Sequence, residues 1–335
     1  MPKTRIWNMI TKKFPYIIES TKINTIKDTH VVVDANYIIM ATCIAYRKIG
    51  QEFENNDGKS TAHIKAMLDN VVYYLKHNII PIYVFDGKAP NFKQDTLNKR
   101  KHIKNTAKTK CDNATSMEEY LKYYKQTVEL GNNKIKDVKY LLDLIGIPYV
   151  QSLEEADPQI AEITKHKQIY GAMSDDIDII LFGGKTLVRR KKDKLSIIHL
   201  DSLLDALSKY YNHKITHNNL IDIVILFGSE YLDGIKQITS NKLLKMYKDN
   251  NFNISATIQY MENNDIVISK EFKQKWNNIK EYFLYPRIIK YSLININLKS
   301  PDFDILYKYL YTDNQFNEDR VNKCIDIINN IYKKQ

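Results

Sequence analysis

Cysteine, glycine and proline are all scarce in this chain. The three cysteines, Cys43, Cys111 and Cys324, lie far apart with no CxxC pair. An odd, dispersed set argues against a disulfide framework or a thiolate zinc site, and for a reducing compartment. Ten glycines and eight prolines in 335 residues leave little material for long disordered stretches. No run of residues approaches the length of a membrane span. The N-terminal MPKTRIWNMITKKF holds no apolar stretch long enough for a signal peptide. A soluble, intracellular protein with no membrane partner is expected.

Acidic charge is in deficit as well. Fifty Lys and Arg against 39 Asp and Glu give a formal net charge of +11 and a pI near 9.1. Such a balance favours a polyanionic partner, and nucleic acid is the usual one. The eight histidines are mostly scattered. His213 and His217 have HxxxH spacing without the glutamate of a zinc-protease helix, so that pair reads as incidental. What the chain does have is a normal hydrophobic fraction of 44%, enough to bury a substantial core.

Three short apolar runs each lead into an aspartate. Val31-Val32-Val33 ends in Asp34, and Pro81 to Phe85 ends in Asp86. Ile169 to Met173 is followed by Ser174, Asp175 and Asp176. Their length and the polar turn after each predict strands. Helical spacing separates them: Thr61 to His77 carries Ile64, Met67, Leu68, Val71, Val72 and Leu75, and Glu119 to Leu144 is long and periodic with a break expected at Gly131-Asn132-Asn133. Strands alternating with helices predict an α/β fold with a mainly parallel sheet, whose ligands bind beyond the carboxyl ends of the strands. Arg100 to Ser116 is basic, with no strong apolar stripe, and reads as an exposed segment or one ordered on binding. From Asp201 onward the pattern is helices joined by short polar turns. Leu220 to Phe227 is an apolar helix among them.

Two further acidic clusters follow the same logic. Glu154-Glu155-Ala156-Asp157-Pro158 opens a helix, with Asp157 as its expected cap and Pro158 at the first helical position. Asp176-Ile177-Asp178 follows the third strand, and Glu230 follows the apolar helix. Any one of these has a plain reading as a turn, a cap or a solvated helix start. Taken as an ordered set they point to metal. Carboxylates crowded at strand ends repel one another unless cations neutralise them. Magnesium suits all-oxygen sites. Two such ions about 4 Å apart activate a water and stabilise the leaving oxygen of a phosphodiester. Two other motifs are set aside. Phe182-Gly183-Gly184-Lys185-Thr186 fails the P-loop spacing because Ile179 stands where a glycine is required. Arg189-Arg190-Lys191-Lys192 reads as a basic patch at a strand end rather than an import signal.

With these residues in place, the sequence resembles the flap endonuclease/XPG-type 5′-nuclease family over most of its length. The matching segments are VVVDANYIIM (31–40), PIYVFDGKAPNFKQDTLNKRK (81–101), GIPYVQSLEEAD (146–157), GAMSDDIDIILFGG (171–184) and LIDIVILFGSEY (220–231). QFNEDRVNKCI (315–325) is similar to the family's closing helix. The resemblance implies a PIN-like 5′-nuclease fold with a helical arch and a helical C-terminal DNA-binding region. The corresponding segments here are 1–100 and 146–235 for the nuclease domain, 101–145 for the arch and 236–335 for the C-terminal region, all forming one compact unit. It implies a metal site of Asp34, Asp86, Glu155, Asp157, Asp176, Asp178 and Glu230, holding two Mg2+ ions that Mn2+ can replace. Lys93 and Arg100 fall on its two basic active-site positions and, with Asp86 and Asp176, make up the catalytic set. The Lys99–Lys110 stretch, with Lys99, Lys101, Lys104 and Lys108, becomes a candidate funnel for a single strand.

The sequence also departs from the family. Pro2 stands where members have a glycine after the first Met. Asp157 replaces a glutamate and Glu230 an aspartate. Met40 occupies the place of an aromatic that stacks on a base. Tyr37, one turn away, is a candidate substitute, although a core role is its plainer reading. In Ile235 to Ser240, Gln237 and Thr239 replace both glycines of a duplex-binding hairpin, leaving Lys236, Lys242 and Lys245 to supply charge. The C-terminal motif for a sliding clamp is missing. The expected protein is a monomeric structure-specific 5′-flap endonuclease and 5′–3′ exonuclease. It would act on branched or 5′-ended DNA in replication, repair or recombination, in the nucleus or at a cytoplasmic site of DNA replication. Two alternatives stay open: a weakened homologue acting as a DNA-binding scaffold, and a 5′-exoribonuclease.

Overall fold

The computed structural model describes residues 3–333; Pro2 lies outside them. The chain runs α1 (Lys3–Lys13), β1 (Glu19–Lys22), β2 (Thr29–Asp34), α2 (Ala35–Lys48), α3 (Ala62–Lys76), β3 (Ile79–Phe85), α4 (Gln94–Asp112), α5 (Met117–Tyr124), α6 (Asn132–Ile145), β4 (Tyr149–Gln151), α7 (Ala156–Ile163), β5 (Ile169–Met173) and α8 (Asp178–Leu181). It continues through β6 (Thr186–Lys191), β7 (Lys194–His199), α9 (Leu200–Tyr211), α10 (His217–Phe227), α11 (Ser240–Asp249), α12 (Ile254–Asn263), α13 (Lys270–Leu284), α14 (Phe303–Tyr307) and α15 (Glu318–Tyr332). Two units divide it. One comprises Met1–Lys22, Asp157–Lys167 and Gly171–Tyr291; the other comprises Ile23–Ala156, Gln168–Tyr170 and Ser292–Gln335.

In the second of these, β2, β3 and β4 pair in parallel, with Asp34 opposite Val84 and Phe85 opposite Gln151. Val31, Val32, Val33, Ile82, Tyr83, Val84 and Phe85 are all fully buried. Burial on both faces explains why these strands read as continuous apolar runs rather than alternating ones. Helix α3 buries Ile64, Met67, Leu68, Val71, Val72 and Leu75, the stripe that the spacing predicts. Helix α15 is tied to α3 by the ion pair of Arg320 with Asp69. In the first unit the sheet is mixed. Strand β5 runs parallel to β6, whereas β6 with β7 and β7 with β1 are antiparallel. Lys192, with φ of +56°, forms the turn after the basic end of β6. Helix α10 is buried at every position from Leu220 to Phe227 and forms the centre of a helical layer with α11 and α13.

The basic segment from Arg100 is largely exposed, as expected, and it lies in a continuous helix of 19 residues, α4. Its one fully buried apolar residue is Ala107, so Lys, Gln, Arg and Leu propensity carries the helix where no apolar stripe announces it. Helix α7 starts at Ala156, which places Asp157 and Pro158 inside its first turn. The cap expected of Asp157 is supplied from a distance by Asp86. The break predicted after Glu119 is real: α5 ends at Tyr124 and α6 begins after Gly131.

Candidate metal centre and nucleic-acid interface

Three carboxylates of the second unit occupy the carboxyl ends of its parallel strands and the loop beside them. Asp34 closes β2 and caps α2, its Oδ1 accepting the N–H of Tyr37 at 2.8 Å. Asp86 follows β3. Because Asp34 lies opposite Val84, Asp86 sits two residues further along the neighbouring strand. Its Oδ1 accepts the N–H of Ala156 at 2.9 Å, and its own N–H donates to Asn36 Oδ1 at 3.3 Å. Gln151 Nε2 donates to the Asp86 carbonyl at 2.7 Å, and Lys139 Nζ fixes that amide by donating to Gln151 Oε1 at 2.6 Å. At Gly87 the N–H donates to Glu154 O at 2.6 Å. A Cβ on Gly87 would lie 2.2 Å from Ser152 O, so only glycine lets the two loops come this close. Glu155 is buried and ion-paired with Lys93, whose side chain is 11% exposed. A pair removed from water in this way is strongly destabilised when one partner is lost.

The remaining four carboxylates belong to the first unit. Asp157 lies in the first turn of α7. Asp176 takes the N–H of Asp178 on its Oδ1 at 3.0 Å, and its own N–H donates to Ser174 Oγ at 3.0 Å. Asp178 is buried, 1% exposed. Glu230 precedes Tyr231, a buried phenol that reveals how these acids are grouped. Burial pushes the Tyr231 pKa well above its ordinary value, and the charges of Glu230, Asp178 and Asp157 push it further, with Tyr282 adding to the effect. Three carboxylates from three sequence clusters thus act on one side chain. Asp175 points elsewhere, holding Arg189 Nε at 3.0 Å, while the Arg189 guanidinium lies 4.1 Å from the centre of the Trp7 ring.

The donor set is entirely carboxylate oxygen, which suits a hard divalent cation rather than zinc or copper. Two of its members, Glu155 and Asp178, are withdrawn from water, where uncompensated negative charge is most costly. Among the described residues, no three His, Cys, Asp or Glu side chains are already spaced to hold a metal ion. The two histidines at HxxxH spacing are engaged separately. His217 Nε2 meets Leu181 O at 2.8 Å, and His213 stacks on Phe252.

The candidate nucleic-acid contacts fall into three groups. On α4, Lys99, Arg100 and Lys101 are exposed, whereas Lys104 and Lys108 both reach Glu129. On α2, Tyr37 is 49% exposed, so the core reading of this ring is wrong. Around α11, Lys242 and Lys245 are exposed, and Lys236 pairs with Asp233 at 2.7 Å. Gln237 holds a φ of +65°, the left-handed conformation that glycine adopts without strain. Thr239 caps α11 by accepting the N–H of Lys242 at 3.3 Å. The sequence reading had not singled out Tyr231, Lys139, Gln151 or Glu129. Only Tyr231 carried a local signal, as the aromatic directly after Glu230.

Comparison with known proteins bears on the chain as a whole. Residues 4–107 match the XPG N-terminal domain and residues 146–230 the XPG I-region. The flap endonuclease 1 of Heterostelium pallidum is 31% identical over 330 residues, covering 95% of this chain and 83% of that protein. That of Aedes aegypti is 28% identical over 324 residues, covering 93% and 82%. Among solved structures, flap endonuclease-1 from Methanococcus jannaschii superposes with a TM-score of 0.70 at 26% identity, over 96% of this chain and 99% of that one. The catalytic core of Rad2 in complex with DNA substrate has the same fold, with a TM-score of 0.67 at 20% identity, over 96% and 99%.

Proposed function

The chain belongs to the flap endonuclease/XPG family of nucleases, and from that premise we propose that it is a structure-specific 5′-flap endonuclease with 5′–3′ exonuclease activity on DNA. It hydrolyses phosphodiesters in a metal-dependent reaction. The finer reading is that Asp34, Asp86 and Glu155 in one unit, and Asp157, Asp176, Asp178 and Glu230 in the other, are the ligands of two Mg2+ ions, which Mn2+ can replace. The observation that supports this reading is an all-carboxylate set, with Asp34 and Asp86 at the carboxyl ends of parallel strands and Glu155 and Asp178 buried. A bound cation lowers the cost of carboxylates that are held close together or out of water.

When bound, the metal supplies an activated water and charge neutralisation at the leaving oxygen. The chain's own groups do the rest. The Asp86 carboxylate accepts the N–H of Ala156 and Gln151 Nε2 holds its backbone carbonyl, so the side chain is oriented before any ligand arrives. Lys93 sits on Glu155 and is released to the scissile phosphate once that charge is otherwise satisfied. Arg100, on the exposed face of α4, adds a second cation to the developing charge. The products carry a 5′ phosphate and a 3′ hydroxyl. Lys99, Lys101, Lys104 and Lys108 track a single strand, and Lys236, Lys242 and Lys245 a duplex. Tyr37 offers a stacking face. The enzyme works as a monomer in replication, repair or recombination, in the nucleus or at a cytoplasmic site of replication. Among the described residues no helix is long and apolar enough to cross a membrane.

The test is cleavage of end-labelled 5′-flap, nicked, gapped, Holliday and single-stranded DNA with Mg2+, Mn2+ and chelator in parallel, beside RNA of the same shapes. Metal-dependent cuts at the flap base are expected. The strained Gln237 favours a second reading, a DNA-binding scaffold; binding without cleavage under any metal would establish it in place of the first. Preferential cutting of RNA would make the protein an exoribonuclease.

A further inference from the structure

Two of the arch lysines already hold an anion. Lys104 Nζ donates to Glu129 Oε1 at 2.7 Å, and Lys108 Nζ lies 3.8 Å from Oε2 of the same carboxylate. The two lysines are four residues apart and so share one face of α4. One acid therefore spans two ammonium groups with one oxygen each, as the oxygens of a backbone phosphate would. Glu129 is placed for this by its surroundings. Its neighbour Val128 is buried, and Lys134 Nζ donates to the Glu129 carbonyl at 3.2 Å. The Glu129 side chain itself remains 57% exposed. Its hydrogen bond from Lys104 and the charge of that lysine hold the carboxyl below its usual pKa, so it is an anion at any working pH.

We propose that Glu129 is an internal surrogate for a nucleic-acid phosphate, occupying Lys104 and Lys108 until the backbone of a single-stranded 5′ arm displaces it. This inference rests on the reading of α4 as the surface that receives that arm. Its consequence is selectivity. A strand with several phosphates in register displaces one carboxylate, whereas an isolated or poorly placed phosphate competes with it at a disadvantage. Glu129 thereby lowers the affinity of α4 for short or misplaced ends and steepens the preference for a threaded arm. An exposed ion pair contributes little to folding, so removing it leaves the arch intact.

The experiment is equilibrium binding in EDTA, where no cleavage occurs. It uses the full chain and Glu129→Gln, with a labelled 5′-flap DNA, a nicked duplex of the same sequence without a flap, and a short single-stranded oligonucleotide. Glu129→Gln should bind the short oligonucleotide about tenfold and the flap about threefold more tightly, with the nicked duplex unchanged. The gain should vanish in the double variant that also carries Lys104→Gln, a non-additivity that a merely loosened arch would not produce. Equal affinity of wild type and Glu129→Gln for all three probes overturns the proposal. So does an equal gain on the nicked duplex, or a gain that survives Lys104→Gln. Failure of the nuclease reading is recorded separately, as absence of metal-dependent flap cleavage by the wild-type chain.

Discussion

The two groups of carboxylates differ in what they do for the fold. In the unit holding β2, β3 and β4, each acid has a structural task. Asp34 caps α2, Asp86 accepts the first N–H of α7, and Glu155 neutralises Lys93. In the unit holding α10, the charges of Glu230, Asp178 and Asp157 all disfavour ionisation of the buried Tyr231. The first group is therefore stabilising without any ligand. The second includes a carboxylate held out of water, a cost that a cation relieves. Acids that serve the same chemistry can thus have opposite effects on stability, and neutralising them one by one separates the two effects.

The largest expected effect removes the distinction, because on the proposed reading catalysis needs both groups. Asp86→Asn and Asp176→Asn should each lower flap cleavage by about two orders of magnitude or more, since a bound metal contributes several kcal/mol to the transition state. Filter binding should show DNA affinity within about threefold of wild type; retained turnover in either variant removes that residue from the metal site. Lys93→Ala comes next. It should slow single-turnover cleavage by about 100-fold with little change in affinity, and lower thermal stability by removing one partner of a buried ion pair. Equal losses in rate and affinity would assign Lys93 to binding alone.

The comparison itself is tested by metal-free unfolding. Asp34→Ala should destabilise by about 1 kcal/mol through loss of the α2 cap. Asp178→Asn should instead stabilise, because it removes a carboxylate held out of water, and should lose the stabilisation that Mg2+ gives the wild type. If both variants shift in the same direction in denaturant titrations, the two groups do not differ in the way described. The smallest effect is at the duplex contact. Gln237→Gly should relieve a left-handed backbone worth about 1–2 kcal/mol, offset in part by the entropy of glycine in the unfolded chain. It should also tighten duplex binding by about twofold to threefold. Weaker duplex binding would show that the Gln237 side chain is itself a contact.

Strands and buried helices were legible because their cause is local. The valines of β2 and the stripe of α3 are buried as their spacing requires. Helix α4 was less so, since its residues favour a helix without marking a buried face, and Ala107 alone is a faint signal. The start of α7 was misplaced for a different reason. A cap is normally sought next to the helix, and here Asp86 supplies it from 70 residues away. Lys139 and Gln151, which hold the Asp86 loop, are ordinary residues of α6 and β4 until the fold joins them. Glu129 looked like one acid in a linker, and Tyr37 like one more apolar position on α2. Residue type and order suffice to nominate ligands, because metal chemistry restricts them to carboxylates. The side chains that aim those ligands are chosen by three-dimensional neighbourhood, which spacing along the chain does not encode.

The stacking of Arg189 on Trp7 gives the protein a spectroscopic reporter. The guanidinium is shared between the indole face and Asp175, the residue next to Asp176. Any rearrangement of the Ser174–Asp178 turn that moves Asp175 changes how closely that cation sits on the indole. The chain has only two tryptophans, Trp7 and Trp276, so replacing Trp276 with phenylalanine leaves a single emitter. Its emission during a Mg2+ titration would follow this turn in real time, with no DNA, label or turnover required.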